Sequence, residues 1–191
     1  MSKIFITSDF HFNHDREFVW GARGFHNIQE MNEAIIERFN STVAPEDDVY
    51  VLGDLCLGGG EKGMTAINQS LIERLNGHLH IICGNHCTPA RQEMYKLCNN
   101  VVEVVYATIL KYKGYHFYLS HFPTMTANLE KETLKQCTIS LYGHTHQKNN
   151  FYQDIPFRYH VGCDSHDCYP VLLDDAIEEM KIKVKECYEV I

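Results

Sequence analysis

Five short polar clusters punctuate this chain, and each follows a stretch that reads as a β-strand. Asp9 and His11 come first, then Asp54, then Asn85 and His86, then His121, then His144 and His146. Asp, Asn and His side chains offer hard oxygen and borderline nitrogen donors. That mixture suits Mn²⁺, Fe or Zn²⁺ better than Ca²⁺ or Mg²⁺ alone. Seven of these eight as ligands already exceed what one ion needs once water is present. Two ions sharing a carboxylate would use them all, and two ions ~3.5–4 Å apart form a clamp for displacement at phosphorus. Each fragment alone is weak. Asp-x-His arises by chance, and Gly-Asn-His is usually a turn. His144-Thr145-His146 has the period of two that puts both rings on one face of a strand. The argument lies in their common placement, because ligands of α/β sheets gather at the C-terminal ends of strands. Gly53, Gly84 and Gly143 beside them would let the backbone turn sharply where a ligand must point back.

The elements that must hold these residues alternate strand and helix. Lys3–Ser8, Asp48–Leu52 and Leu79–Cys83 are apolar, strand-like runs. Gln29–Asn40 places Met31, Ile35, Ile36 and Phe39 on one helical face. Glu61–Leu75 reads as a helix stopped by Asn76-Gly77, and another helix follows Pro89. Gly58-Gly59-Gly60 reads as a loop. Beyond about residue 100 the texture changes. Val101–Tyr112 reads as one strand, Lys113-Gly114 as a turn, and Tyr115–Ser120 as the returning strand. Ile139–Tyr142 and Tyr159–Val161 are further strands, and Asp174–Lys185 is an amphipathic helix. Alternation first and hairpins later fits an α/β sandwich with mixed sheets.

Composition sets the bounds. The 191 residues suit one domain, 1–191, large enough to bury a core without disulfides or a structural metal. No apolar run approaches the ~20 residues of a membrane span. The start of the chain carries no signal-peptide pattern, and none of the eight cysteines forms a CxxC pair. Free buried thiols and a cytoplasmic setting follow as expectations. The formal charge of −8 argues against broad binding to duplex nucleic acid. Oligomeric state is left open.

Asp9-Phe10-His11, Gly53-Asp54, Gly84-Asn85-His86, Ser120-His121 and Gly143-His144-Thr145-His146 resemble the ordered motifs of the calcineurin-like metallophosphoesterases. Ser8–His14, Arg23-Gly24-Phe25, Glu30-Met31, Val161–Asp164 and Tyr169-Pro170-Val171 look like the small single-domain bacterial and phage branch. The resemblance implies a four-layer α/β/β/α sandwich with two mixed sheets. It implies that Asp9, His11 and His146 bind one metal, Asn85, His121 and His144 a second, and that Asp54 bridges. The two divalent ions would be manganese first, with iron, zinc, nickel or magnesium as alternatives. His86 would stand beside the second metal and assist the leaving group, while a metal-activated hydroxide attacks. The implied substrate is a small anionic phosphate ester or a nucleotide, a phosphodiester before a phosphomonoester. A nuclease acting on short nucleic acids is the alternative, and a non-catalytic scaffold is disfavoured by the presence of His86.

Two positions depart from the family pattern. Cys87 stands where an acidic residue usually follows Gly-Asn-His; an acid there would be a helix cap or support a ligand, so weaker local support is expected. The stretch Asp54-Leu55-Cys56-Leu57-Gly58 lacks the second Asp and Arg of phosphoprotein phosphatases, so His86 lacks that carboxylate partner. Further candidates lie in the long connection after the first strand, which contains Arg16, Arg23 and His26 and has the character of a lid. His14 is a candidate for the leaving group, and Arg23 for a substrate phosphate. The alternatives are a solvated loop histidine and a salt bridge to an exposed carboxylate. His78, His80, His116 and His160 read as structural or exposed, and His166 has no assigned role.

Overall fold

The computed structural model describes residues 2–57, 64–126 and 133–188. The Gly58-Gly59-Gly60 loop and the first turn of the helix expected from Glu61 lie outside them. The elements in chain order are β1 Ile4–Thr7, α1 Glu17–Trp20, a 3₁₀ turn Gly21–Arg23, α2 Ile28–Thr42, β2 Asp48–Val51, α3 Met64–Glu73, β3 His78–Ile82 and α4 Pro89–Leu97. There follow β4 Val101–Val105, β5 Ala107–Tyr112, β6 Tyr115–Ser120, β7 Thr138–Tyr142, a 3₁₀ turn Tyr152–Asp154, β8 Arg158–His160, β9 Val171–Leu172 and α5 Leu173–Tyr188.

Two mixed sheets result, in the orders β4-β3-β2-β1-β9 and β5-β6-β7-β8. In the first, β1 to β4 run parallel and β9 is antiparallel to β1. In the second, β5 and β6 form an antiparallel hairpin, and β6, β7 and β8 are parallel. Strand alternation divides the core in two. Phe5, Val49, Val51, Leu79 and Ile81 pack with Met31, Ile35, Phe39, Ile72 and Met94 from α2, α3 and α4. Ile6, Leu52 and Ile82 face the other way. They join Phe117, Leu119, Ile139, Leu141 and Tyr159 of the second sheet and Leu173, Ala176, Ile177 and Met180 of α5. β1 and the C-terminal ends of β2 and β3 are thus apolar on both faces, while Asp48, His78, His80 and Glu103 put polar groups on the outer part of the sheet.

Local chemistry explains the boundaries. Asn27 caps α2 by accepting from Glu30 N at 2.8 Å, and Glu30 Oε2 accepts at 2.7 Å from the N–H of His26, the residue before the cap. Thr88 caps α4 with Pro89 in its first turn. Lys113 and Gly114 both have positive φ, 49° and 81°, as a two-residue hairpin turn requires.

The single strand expected over Val101–Tyr112 is two. Val101–Val105 pairs with β3 in the first sheet, Tyr106 breaks the run, and Ala107–Tyr112 opens the second sheet. A β-branched run has the same local preference in either sheet, so the change of partner leaves no mark on the pattern. All eight cysteines are free, seven of them buried. No helix among the described residues is long and apolar enough to cross a membrane.

Candidate metal centre

The site forms where strands of both sheets end. Past β1 and β2 the chain continues as two loops side by side. Asp9 N donates to Gly53 O at 3.1 Å, His11 N to Asp54 O at 3.0 Å and Phe12 N to Leu55 O at 3.1 Å. Phe10 and Phe12 are fully buried with ring centroids 5.4 Å apart, and this anchors the loop that presents Asp9 and His11. Five polar residues here adopt left-handed backbone: Asp9 at φ 59°, His11 at 55°, Asp54 at 51°, His144 at 67° and His146 at 48°. Asp and His tolerate this region better than most side chains, and such strain collects at functional sites.

The glycine expectation is corrected in part. Gly53, at φ 95°, does turn the chain, and a Cβ there would also strike the His121 ring. Gly84 and Gly143 are not in the left-handed region. They are small because the Asp54 carboxylate and the Ser8–Asp9 side chains fill the space a Cβ would take.

Two groups of donors meet. Asp9, His11 and His146 offer ligand atoms within 4.8 Å of one another, and so do Asp9, Asp54 and His121. In the first group His11 Nε2 and His146 Nε2 stand 3.1 Å apart, and each is 3.8–3.9 Å from Asp9 Oδ1. In the second, Asn85 Oδ1 lies 2.8 Å from His121 Nε2 and 2.9 Å from His144 Nδ1. Asp54 Oδ2 is 3.3 Å from His121 Nε2. Donors ~2.1 Å from a common ion stand roughly 3.0–3.4 Å apart, so several of these contacts have the spacing of a ligand shell. Asp9 Oδ1 is buried with no hydrogen-bond partner, which is a costly arrangement unless a cation takes it. The donor set thus fits divalent metal. His144 and His146 do not share a strand face. They lie beyond β7, in left-handed backbone, and turn to different groups.

Neighbouring groups orient the rings. His121 Nδ1 donates to Leu52 O at 2.8 Å, which turns its Nε2 toward Asn85 and Asp54. His146 Nδ1 is 2.7 Å from Asp164 Oδ2, and its Nε2 faces His11. Asp9 Oδ2 accepts from His144 N at 2.9 Å and from Ser8 Oγ. Burial alone would raise the Asp9 carboxyl, but His11, His121, His146 and Ser8 hold it down to about 2. Burial opposes ionisation of Asp54 too, and His121 outweighs it and lowers the group. Burial pushes His11 and His144 down. His121 and His146 go the other way: Asp54 raises the first against burial, and the bond to Asp164 raises the second, so a metal bound there would displace a proton.

Asp164 and Arg23 form a buried pair behind His146. Arg23 Nη2 is 2.9 Å from Asp164 Oδ2 and its Nε 3.2 Å from Oδ1, and the guanidinium also donates to Asp9 O at 2.7 Å and Phe10 O at 3.0 Å. Arg23 and the His146 ring, against the cost of burial, hold the Asp164 carboxyl well below the carboxylate range. Arg23 was a candidate for substrate phosphate. The structure gives its donors to a carboxylate 141 residues away and to the backbone that carries Asp9, and that carboxylate is buried, not exposed. The role of Asp164 was missed. Its signals were its place in the Val161–Asp164 stretch that resembles the small single-domain branch, and a carboxylate set, like the others, past a strand.

A cavity of about 600 Å³ opens beside the first group, lined by His11, His14, Phe18, Arg23, His86 and Lys148 among others. The His86 side chain is 39% exposed, with Nε2 3.9 Å from Asp54 Oδ2 and its backbone N donating to Asp54 Oδ1 at 3.0 Å. His14 lies between Phe18 and His86, its ring 5.7 and 6.3 Å from theirs. Burial and the neighbouring His11, His86, Arg16 and Arg23 push His14 down to about 4. His26 is exposed against Glu30. Cys87 is buried and caps nothing. Its sulfur accepts from Gly84 N at 3.1 Å, and the helix cap falls to Thr88. His80 bridges Asp48 and Glu103, and His160 is fully buried. His166 donates to His160 O at 2.8 Å.

The chain is similar to several known proteins. The uncharacterized protein MJ1445 of Methanocaldococcus jannaschii is 32% identical over 157 residues, covering 82% of this chain and 76% of its own length. The Gene 66 protein of Mycobacterium phage D29 is 28% identical over 213 aligned positions, covering 97% and 99%. Among solved structures, the protein of unknown function AQ665 from Aquifex aeolicus superposes with a TM-score of 0.68 at 20% identity, covering 94% of this chain and all of that one, a likeness of fold. The calcineurin-like phosphoesterase superfamily domain matches residues 2–162. With that match over most of its length, a mixed two-sheet fold and clustered Asp and His donors, the chain belongs to the calcineurin-like phosphoesterase superfamily, hydrolases that typically depend on divalent metal.

Proposed function

We propose that the protein is a dinuclear metal-dependent phosphodiesterase acting on small anionic phosphate esters. The observation that carries this reading is the pair of contiguous donor groups, joined through Asp9, beside a cavity into which His86 projects. Asp9, His11 and His146 would hold one divalent ion. Asn85, His121 and His144 would hold the other, with Asp54 between them. Mn²⁺ suits this nitrogen and oxygen set, and the free thiols suit a reducing cytoplasm. When bound, such ions supply water of lowered pKa and hold phosphoryl oxygens.

The chain's own residues do the rest. His86, half in solvent and without a carboxylate partner three residues past Asp54, is free to face a leaving oxygen and give it a proton from the ring. The Asp9 and Asp54 carboxylates stay ionised and neutralise the cations. Ser8 and His144 N fix the Asp9 carboxylate, and Leu52 O fixes the His121 ring, so no group has to reorganise when charge develops on the phosphoryl group. The test is hydrolysis of bis(p-nitrophenyl) phosphate with Mn²⁺. His86→Ala should lower kcat by about 10²–10⁴-fold with metal content unchanged. Absence of turnover in metal-loaded protein, or equal rates for His86→Ala and the unaltered chain, would overturn the reading.

A further inference from the structure

Cys87 stands where the family pattern has an acid, and the metal centre leaves it without a role. It does not stand alone. Cys83 follows β3 directly, and the two cysteines bracket Gly84, the donor Asn85 and His86. Cys87 N donates to Gly84 O at 3.1 Å and closes the turn, while Gly84 N donates to Cys87 Sγ, also at 3.1 Å. Gly84 N belongs to the peptide bond of Cys83, so the Cys87 sulfur hangs back over Cys83, and the two thiols share a hydrogen bond. Cys87 lies just under the surface, between the partly exposed His86 and the exposed Thr88. Cys163 and Cys168 form a second such pair, joined by Cys168 N to Cys163 O at 3.0 Å, but more deeply buried at 2% exposed each.

We propose that Cys83 and Cys87 are a peroxide-sensitive thiol pair whose disulfide releases the ion held through Asn85. The inference goes beyond the phosphoesterase reading and rests only on its second donor group. The Cys87 sulfur attacks hydrogen peroxide, the O–O bond breaks, and a sulfenic acid and one water result. The Cys83 sulfur then attacks that of Cys87. The S–S bond forms, the S–O bond breaks, and the hydroxyl leaves with the Cys83 proton as a second water. The two sulfurs lose two electrons, and the peroxide gains them. Sulfurs in hydrogen-bond contact must close by on the order of 1–2 Å to reach the ~2.05 Å of a disulfide. This takes Cys87 Sγ away from Gly84 N and opens the turn. Gly84 has no space to absorb the change, because the Asp54 carboxylate fills the place beside its Cα. The displacement passes to Asn85, whose Oδ1 lies 2.8 Å from His121 Nε2 and 2.9 Å from His144 Nδ1. A ligand must sit within about 0.2 Å of its place, so Asn85 leaves the shell.

The test treats Mn²⁺-loaded protein with hydrogen peroxide and reads mass, peptide map and metal affinity. The expected result is a mass lower by two hydrogens, a cross-link between the peptides of Cys83 and Cys87, and binding of one Mn²⁺ weakened by about 10–100-fold. Dithiothreitol should restore all three. Cys87→Ser should lose the cross-link and keep both ions after peroxide. Cys83→Ala should lose the cross-link and leave a sulfenic acid on Cys87, trapped by dimedone, which holds the proposal open to test should the serine variant fail to fold. A cross-link at Cys163–Cys168 with none at Cys83–Cys87, or a Cys83–Cys87 disulfide with both ions still held, overturns the proposal. If the reduced protein takes up no Mn²⁺, the phosphoesterase reading falls, while the cross-link still decides whether the thiols are a redox pair.

Discussion

A histidine binds metal through one nitrogen, and what its other nitrogen touches decides how well. For His146 that partner is Asp164, held in turn by Arg23, which also grips the carbonyl of Asp9. One guanidinium thus steadies two residues of the first donor group, from behind and out of reach of solvent. Truncating Asp164 should weaken metal binding without removing a donor. We expect Asp164→Ala to lose about 10–100-fold in affinity for one of two Mn²⁺ ions, read by metal titration of the folded protein, with the second ion unaffected. An unchanged titration would mean that His146 needs no such support. Asp164 and Arg23 were visible only as residue types. Nothing in a carboxylate at 164 or an arginine at 23 says that the two meet.

At the level of elements, each parallel strand delivers its donors through the loop that follows it. The strands β1, β2 and β3 were readable because the ends that lead into the site, Phe5–Ile6, Val51–Leu52 and Ile81–Ile82, are buried on both faces. The loops after them were readable only as clusters of polar residues. Their left-handed backbone, which aims Asp9, His11, Asp54, His144 and His146, has no sequence signature beyond the tolerance of Asp and His for it. Gly53 is where this geometry is least forgiving. An alanine there adds left-handed strain of roughly 1–2 kcal/mol and drives a methyl into the His121 ring. Gly53→Ala should therefore lower the denaturation midpoint and reduce Mn²⁺ stoichiometry from two to one, measured by unfolding and elemental analysis. A variant that still holds two ions would show that the β2 loop can yield. The junction at Tyr106 teaches a related lesson. Val101–Tyr112 is uniformly strand-forming, so its division between two sheets is set by which neighbours are available.

Across the whole molecule, the donors come from both sheets. Asp9, Asp54 and Asn85 follow β1, β2 and β3, while His121 and His144 follow β6 and β7. The centre therefore spans the seam between the sheets, and a metal that binds it favours the folded chain. At about 100 times its dissociation constant a single ion adds about 2.7 kcal/mol, or roughly 5–10 °C in Tm for a chain of this size. Mn²⁺ should raise Tm by at least that much and a chelator should reverse it. A Tm indifferent to both would count against the centre. Charge works in the same direction. The chain carries −8, yet the donor groups bring only the two carboxylates Asp9 and Asp54, so a loaded site is locally positive within an acidic molecule. On the proposed two-ion loading, such a site would draw in a small anion.

The amino-acid sequence alone determined which donors exist, their order, and the α/β alternation that places them past strand ends, because donor type and hydrophobic period are local properties. Tertiary structure alone decided what stands behind and beside the donors. It took Arg23 away from the substrate and gave it to Asp164, and it made the connection after β1 a wall of the cavity. These outcomes depend on contacts between residues as far as 141 positions apart. Such contacts form only once two sheets have stacked, and no short-range pattern encodes where a distant loop will come to rest.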